Sequence, residues 1–515
     1  MAIPAAIRTR PRLLGLSSVW SQVLGRALLP LICLLPVLLY LPFLSEPFEK
    51  DEGTYATVAQ GLLRGDLPYR DLFDHKPPLV YVWYAFSFSA FGEDVTAPRL
   101  VAALVWSATA LLVFLAGRAI YDRRAGLMAA ALFSVSSGLV LLQANANTEV
   151  FMLLPLVASL YAFTRAHQTG DDRWLLVAGV CGGLAALTKQ VAALNLAGLA
   201  LFLIVTEARA RQYGRLARGL GLLAGGSALV LAVALIPFAL GGALDDFYYA
   251  TVTYNQLYVG RLSPGDRLTL AIRYVPDVLL AAALPAGLTL LALLEMRRAQ
   301  RSRLDYLLVL SFGASFVGVI WSGFFFPHYF VGLLPFAALL SARFVTTSSS
   351  QTGVSRRAFL ATIGLLAAVS LAANLPVFLE PTPEAKHAAK FPSALNAQEN
   401  TARQVAAYVA GLTRPEDTIY EYGRNTEIYF YADRRPATRF MYDRPFRLDE
   451  STFDEAMRQL QEARPAYIID SIANQDAALW ESQHPKQYLE FLASNYDYVG
   501  QVSFARVYRL KDAAR

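Results

Sequence analysis

The sequence predicts a polytopic α-helical membrane protein with a small C-terminal α/β domain on the outer membrane face. Three observations predict it. The 515 residues are 55% hydrophobic and only 17% charged, too apolar for one soluble domain and too long for a single core. Apolar stretches of about 17–25 residues recur along the chain, the length a helix needs to cross a bilayer. After about residue 380 these stretches give way to short runs that alternate between helical and strand periodicity.

Net charge is +6 and the isoelectric point about 9.1, but much of the positive charge lies in short loops between apolar runs. That is the topology signal of an inner (plasma) membrane protein, and no nucleic-acid partner is expected. Cys33 and Cys181 both sit inside apolar runs, which argues against a disulfide framework and against a cysteine metal site. The basic N-terminus leads into Leu28–Leu44. This run is long for a signal-peptide core and no small-x-small cleavage site follows, so it reads as a retained first span.

Spans are expected at roughly 27–45, 99–119, 125–143, 149–165, 174–188, 190–206, 219–240, 275–295, 304–322, 329–346 and 357–377, about eleven in all. The apolar helix Leu79–Phe91 is short, interfacial or partly inserted, and leaves the count open by one or two. The expected organisation is a cytoplasmic N-terminus (1–26), a transmembrane module (27–378) with a first outer loop at 46–98, a linker (379–397) and an extracytoplasmic α/β domain (398–515). With Arg8, Arg10 and Arg12 in the cytoplasm, the loops that alternate to the inside hold Arg118, Arg123, Arg124, Arg165 and Arg173. Further along they hold Arg209, Arg211, Arg215, Arg218, Arg297, Arg298, Arg301, Arg303, Arg356 and Arg357. Short outer loops such as ANANTE and GFFFPHYF carry almost no cations, as the positive-inside rule requires. The tail then alternates helix-like runs (ENTARQVAAYVAGL, STFDEAMRQLQEA, PKQYLEFLASNY) with strand-like ones (DTIYEYG, AYIIDS, YVGQVSFARVYRL).

With this topology the polar residues gather at one membrane face. Asp51, Glu52, His75, Lys76 and Arg99 belong to the first outer loop or its edge. Asn145, Asn147 and Glu149 open the fourth span, and Thr188, Lys189 and Gln190 form the turn between the fifth and sixth. Asp245, Asp246 and FYYATVTYNQLY follow the seventh, and His328 and Tyr329 open the tenth. A shared outer cavity follows from that convergence. Each residue also has a plainer reading. Asp51 and Glu52 suit the N-terminal dipole of the helix GTYATVAQGLLRG, and Lys76-Pro77-Pro78 is a rigid helix entry. Lys189 at its tight turn is a snorkelling cation or the partner of an anion, such as a lipid phosphate that repays its desolvation.

Taken together, the segments resemble a known family. KDEGTYATVAQGLLRGDLPYRDLFDHKPPLVYVW is similar to the first outer loop of the GT-C glycosyltransferases related to protein O-mannosyltransferases and to the aminoarabinose transferase of lipid A. The DE pair, Tyr55-Ala56, the KPPL element and Arg99-Leu100 carry the likeness. ANTEVFMLLP, GGLAALTKQ and FFFPHYFVGLLP resemble later elements of the same family-39-like group, and the resemblance covers residues 27 to about 345. The outer tail is similar to tails on some bacterial members. The resemblance implies an inverting transfer of a sugar from a polyprenyl-phosphate carrier to a hydroxyl on a glycan, lipid or protein, with membrane lipid as the surrounding partner. Asp51 would be the general base and Glu52 its support or the acceptor's orienting group. Lys76 would meet the carrier phosphate, helped by Lys189, with His75, Tyr55 and Arg99 in donor phosphate and sugar binding. Asn147, Glu149, Gln190, His328 and Tyr329 would line the cavity. One departure stands out: some relatives carry an acid just before the KP pair, where this chain has His75, with Asp74 one earlier.

The residue types fit that chemistry. An acceptor hydroxyl needs a base within hydrogen-bond reach, a contribution of about 10²–10⁴-fold. Phosphate leaves without a protonating acid, unlike the alkoxide of glycoside hydrolysis, and asks instead for fixed cations. No metal is required by this logic, and a divalent ion held by Asp51 and Glu52 stays an open alternative. Two other classes compete: a transporter or flippase of a lipid-linked sugar, and a non-catalytic scaffold whose outer domain binds a glycan. Transporters favour ionisable groups at the midplane and internal repeats, neither of which the sequence displays, and a scaffold leaves the first-loop cluster unexplained.

Overall fold

The computed structural model describes residues 16–143, 145–297, 301–347, 356–392, 398–472 and 484–511; the expected cytoplasmic cluster Arg8, Arg10 and Arg12 lies outside them. Helix α1 (Leu16–Tyr40) leads into the first loop, whose helices are α2 (Lys50–Leu63) and α3 (Leu79–Phe91). The bundle continues with α4 (Thr96–Ile120), α5 (Arg123–Ser136), α6 (Thr148–Thr169), α7 (Arg173–Thr188), α8 (Ala193–Arg209) and α9 (Tyr213–Leu240). Short α10 (Leu244–Tyr248) and α11 (Tyr254–Gly260) precede α12 (Pro264–Ala281), α13 (Ala283–Glu295), α14 (Arg303–Ser322), α15 (Leu334–Thr347) and α16 (Arg356–Leu379).

Among the described residues, seven helices are long and apolar enough to cross a membrane, or eight if a bent pair counts as one span. The chain is an integral membrane protein. Four of the eleven expected stretches fall outside that seven: the first is counted over Ala27–Phe43 alone, and the other three differ for local reasons. At 125–143 helix α5 stops at Ser136 and a 3-10 turn, Val140–Leu142, completes the stretch. At 174–188, α7 has 16 residues and ends where Lys189 turns extended. At 275–295 the chain bends by 90° between α12 and α13. A broken helix inside a bilayer must satisfy its freed backbone groups, and α16 does so here. Ser370 Oγ accepts from the Leu284 amide at 2.9 Å and Asn374 Nδ2 donates to the Ala281 carbonyl at 3.1 Å. Elsewhere small residues let helices approach closely: a Cβ on Gly226 of α9 would lie 2.5 Å from the Leu176 carbonyl of α7.

The tail comprises α17 (Pro383–Lys390), α18 (Glu399–Leu412), β1 (Thr418–Tyr422), α19 (Glu427–Ala432), β2 (Arg435–Pro436), α20 (Glu450–Ala463), β3 (Tyr467–Asp470), α21 (Lys486–Asn495), β4 (Tyr496–Val502) and β5 (Ala505–Leu510). Strand order is β2-β1-β3-β5-β4, with β1 parallel to β2 and β3 and the β3–β5 and β5–β4 pairs antiparallel. The stretch read as a linker contains α17, a docked helix whose Lys386, His387 and Lys390 are buried. The tail also shares its core with the rest of the chain. Val405, Ile419 and Tyr429 belong to the same apolar cluster as Tyr55, Tyr84 and Trp106, while the opposite face of the sheet has its own cluster around Tyr420, Ile468 and Tyr488.

That docking falls on the first loop. Gly53 of α2 lies so close to α19 that a Cβ there would sit 2.7 Å from the Glu427 Cβ, and Thr54 and Thr426 hydroxyls meet at 2.8 Å. The Phe73 amide donates to the Arg439 carbonyl at 2.7 Å. Arg439 in turn reaches Asp246 at 2.6 Å and the Tyr69 carbonyl at 3.1 Å. First loop, α10 region and tail therefore form one layer across an end of the bundle.

Candidate active site

Helix α2 begins with a reciprocal cap. The Glu49 carboxylate accepts from the Asp51 amide, and Glu52 Oε2 accepts from the Glu49 amide, each at 3.1 Å. The cap fixes the first turn, and the i,i+4 spacing stacks Tyr55 over Asp51, whose Oδ2 accepts from the Tyr55 hydroxyl at 3.4 Å. Asp51 and Glu52 are neighbours in sequence, yet a helix turns about 100° per residue and sends them to different places.

Glu52 is fully buried and bonded throughout. Arg99 Nη2 and Nε donate to it at 2.6 and 3.1 Å, and the Ala146 amide adds a bond at 2.9 Å. Arg99 spends its remaining donors on the Glu46 and Pro47 carbonyls at 2.5 and 2.7 Å. These two residues form a support beneath the cavity. Neither Glu52 nor Arg99 is among the residues that line the cavity described below. Among the described residues no group of three or more His, Cys, Asp or Glu side chains is set to hold a metal ion.

Asp51 keeps 38% of its side chain exposed and lies 3.4 Å from the Nζ of Lys76, which lines the cavity. Burial opposes its ionisation, but Lys76, His328, His75 and Arg444 outweigh that and hold its carboxyl well below the usual range. Lys76 is held by its backbone: the Tyr69 and Tyr81 hydroxyls donate to its carbonyl at 2.7 and 3.3 Å. His75, pushed well below its ordinary value by burial and by Lys76, is neutral at pH 7. Its ring packs 5.4 and 5.2 Å from those of Tyr254 and Tyr258, and its carbonyl accepts from Asn255 at 2.9 Å and Gln190 at 3.4 Å. Asp74, the nearest acid, accepts from the Tyr81 and Tyr442 hydroxyls at 2.8 and 3.2 Å, so it braces the tail against the loop.

Across the cavity Lys189 is paired with Glu149 and lies 4.1 Å from the Tyr329 ring centroid. His328 Nε2 is 3.8 Å from the same Glu149 oxygen. Asn147 is buried just before α6, with its Oδ1 lacking a partner among the described residues. The cavity has a volume of about 500 Å³; His75, Lys76, Glu149, Lys189, Gln190 and Tyr329 line its polar end. Its other end runs down between α8 and α14, past Val191, Asn195, Ser315, Gly318 and Trp321. One chamber thus joins an ionic head to an apolar slot.

Two residues went unread in the sequence. Arg444, from the tail, donates to the Tyr258 hydroxyl at 2.9 Å, and Arg261 lies over the same ring, 4.8 Å from its centroid. Among the described residues neither has an acidic partner, whereas Lys76 and Lys189 each have one. The sequence signal for Arg261 was its place directly behind the tyrosine-rich segment; Arg444 offered none.

The family described as dolichyl-phosphate-mannose-protein mannosyltransferase matches residues 75–240, a stretch that begins at His75 and takes in Lys76, Glu149, Lys189 and Gln190. ArnT from Cupriavidus metallidurans, solved bound to undecaprenyl phosphate, superposes with a TM-score of 0.54 at 16% identity, over 97% of this chain and 99% of that one. The archaeal oligosaccharyltransferase AglB from Archaeoglobus fulgidus, in complex with an inhibitory peptide and a dolichol-phosphate, gives 0.52 at 14% identity, over 96% and 75%. The chain has a GT-C fold. The match over 75–240 takes in the KPPL and LTKQ segments that carried the resemblance. No curated protein matches the GT-C chain by sequence.

Proposed function

We propose that the protein is an inverting glycosyltransferase that takes a sugar from a polyprenyl-phosphate carrier and places it on a hydroxyl of a glycan, lipid or protein acceptor. The first loop and tail face the outside of an inner membrane, with the N-terminus in the cytoplasm. The observation that carries the reading is the cavity's polarity: a half-exposed Asp51 beside Lys76 at one end and a slot between helices at the other. A phosphate on a long apolar tail matches that gradient.

The carrier's first isoprenes fill the slot, with its phosphate against Lys76 and Arg261. Asp51 takes the proton from the acceptor hydroxyl. The hydroxyl oxygen bonds to the anomeric carbon as the carbon–phosphate oxygen bond breaks, and the electron pair leaves on polyprenyl phosphate. Fixed cations stabilise that developing charge. In the resting site Lys76 weakens Asp51 as a base by holding it ionised. A donor phosphate draws Lys76 toward itself, and the basicity of Asp51 rises only in the complex. Lys189 is neutralised by Glu149 and serves the sugar or the second wall of the site.

The test uses purified protein in lipid with a panel of polyprenyl-phosphate sugars and an envelope acceptor extract, following release of free polyprenyl phosphate. Wild type is expected to release it, and Asp51→Asn to lose about 10²–10⁴-fold in rate. Equal release by both would remove Asp51 from the chemistry. Absence of release with every donor would sink the transferase reading.

A further inference from the structure

A second polar cluster lies behind α2, on the side away from the cavity, where the tail meets the catalytic helix. Glu399 and Glu427 come from α18 and α19, and both are fully buried. Glu399 Oε1 accepts from the Lys50 amide at 3.3 Å, and Oε2 lies 2.5 Å from His387 Nε2 of α17. Glu427 packs directly on Gly53; Asn425 donates to its Oε1 at 2.9 Å, and its Oε2 has no partner among the described residues. The cap residue Glu49 and Lys50, Asp51 and Glu52 of the first turn of α2 are near enough to act on these carboxyls through their charge. Lys390 of α17, paired with Glu46 at 2.5 Å, and Arg99 of α4 face His387.

Five carboxylates, Glu49, Asp51, Glu52, Glu399 and Glu427, from two separated parts of the chain therefore crowd the first turn of one helix, with Lys50 among them. They are not all ionised. Burial raises Glu399 to about 8, against the pull of Lys50 and with the push of Glu52 and Asp51. Burial, with Glu399, raises Glu427 to about 8, and burial, Asp51 and Glu399 raise Glu49 as well. His387 is lowered by burial to about 3 and stays neutral, so the Glu399–His387 contact is a hydrogen bond between a protonated carboxyl and a neutral imidazole.

We propose that Glu399 and Glu427 are positioning residues for Asp51, forming a proton-dependent clamp by which the tail holds the first turn of α2 at the cavity. The proposal rests on the reading of Asp51 as the base. A protonated Glu399 satisfies both the Lys50 amide and His387. Once ionised, it faces Glu49, Glu52 and Asp51 as a like charge, and the turn carrying Asp51 separates from the tail. The sign follows from linkage. A carboxyl raised from its ordinary value to about 8 supports docking fully below the ordinary value, and that support is lost as pH rises to about 8.

The experiment compares wild type, E399Q, E399A and the E399Q/E427Q double variant in lipid by two readouts. The first is the pH profile of transfer. Wild type is expected to lose kcat above about pH 8, and the double variant to keep it. E399A is expected to lose kcat about ten-fold or more at every pH, with donor KM within about two-fold, and E399Q to restore it. The second is amide hydrogen exchange of the α2 peptides, taken as the ratio of wild type to double variant at each pH. That ratio should rise as pH approaches 8. The same alkaline limb in wild type and double variant, or an E399A enzyme as active as wild type, would overturn the proposal. A pH-independent exchange ratio would overturn it too, and this arm remains readable if no donor is ever turned over.

Discussion

Arg99 makes every one of its described hydrogen bonds inside the protein, to Glu52 and to backbone carbonyls of the loop before α2. Replacing it by methionine removes the charge that balances Glu52 and leaves a carboxylate buried without a cation, a loss of about 3–5 kcal/mol. Thermal unfolding in detergent should show Arg99→Met well below wild type, and E52Q/R99M should recover part of the loss because no lone charge remains. A double variant no more stable than R99M would show that the loop needs the guanidinium forks more than charge balance. At this scale the sequence was half legible. That Asp51, Lys76 and Lys189 gather at one face could be read from span order. The partition of a neighbouring DE pair into a partly exposed acid beside Lys76 and a buried support could not, because Glu52 finds its partner 47 residues away.

Helices were the most legible elements, because apolar runs in a bilayer can satisfy their backbone only as helices. Helix α3 runs over Leu79–Phe91 as read. The α12–α13 bend was not legible, since the groups that stabilise it, Ser370 and Asn374, sit on α16 some 90 residues later. The slot between α8 and α14 was equally hidden, since it depends on what two distant helices lack. Gly318 leaves part of that space: a Cβ there would stand 3.2 Å from the Val191 Cβ and 3.6 Å from Leu194. Gly318→Leu should fill the slot at an overpacking cost of about 1–3 kcal/mol. If the slot takes the carrier's isoprenes, the donor KM should rise about ten-fold or more for long-chain donors and less for short-chain ones, with kcat nearly kept. An equal rise for both chain lengths would mean that the tail runs elsewhere.

Across the whole molecule the tail is less separable than its composition suggests. Its periodicity announced the strands and helices of an α/β unit, and nothing in it announced that one face of the sheet completes the core of the first loop. The surfaces that make this contact read as ordinary small and polar residues: Gly53 against Glu427, Thr54 on Thr426, Phe48 donating its amide to the Tyr431 hydroxyl at 2.8 Å. Arg439 pairs with Asp246 and Glu455, and Arg434 donates to the Ala410 and Thr413 carbonyls. This arrangement decides what truncation does. A tail that only recruited acceptor could be removed with donor chemistry intact. Here removal of residues 381–515 uncovers α2 along its docked face, strips the Lys50 amide of Glu399 and takes Arg444 away from the cavity-lining Tyr258. The truncated chain should therefore lose release of polyprenyl phosphate from every donor, whatever acceptor is supplied. Its α2 peptides should exchange amide hydrogens nearly as fast as unstructured ones, while those of α4 and α6 remain protected. Donor turnover that survived truncation, with α2 still protected, would show that the first loop holds its shape alone and would return the tail to an accessory role.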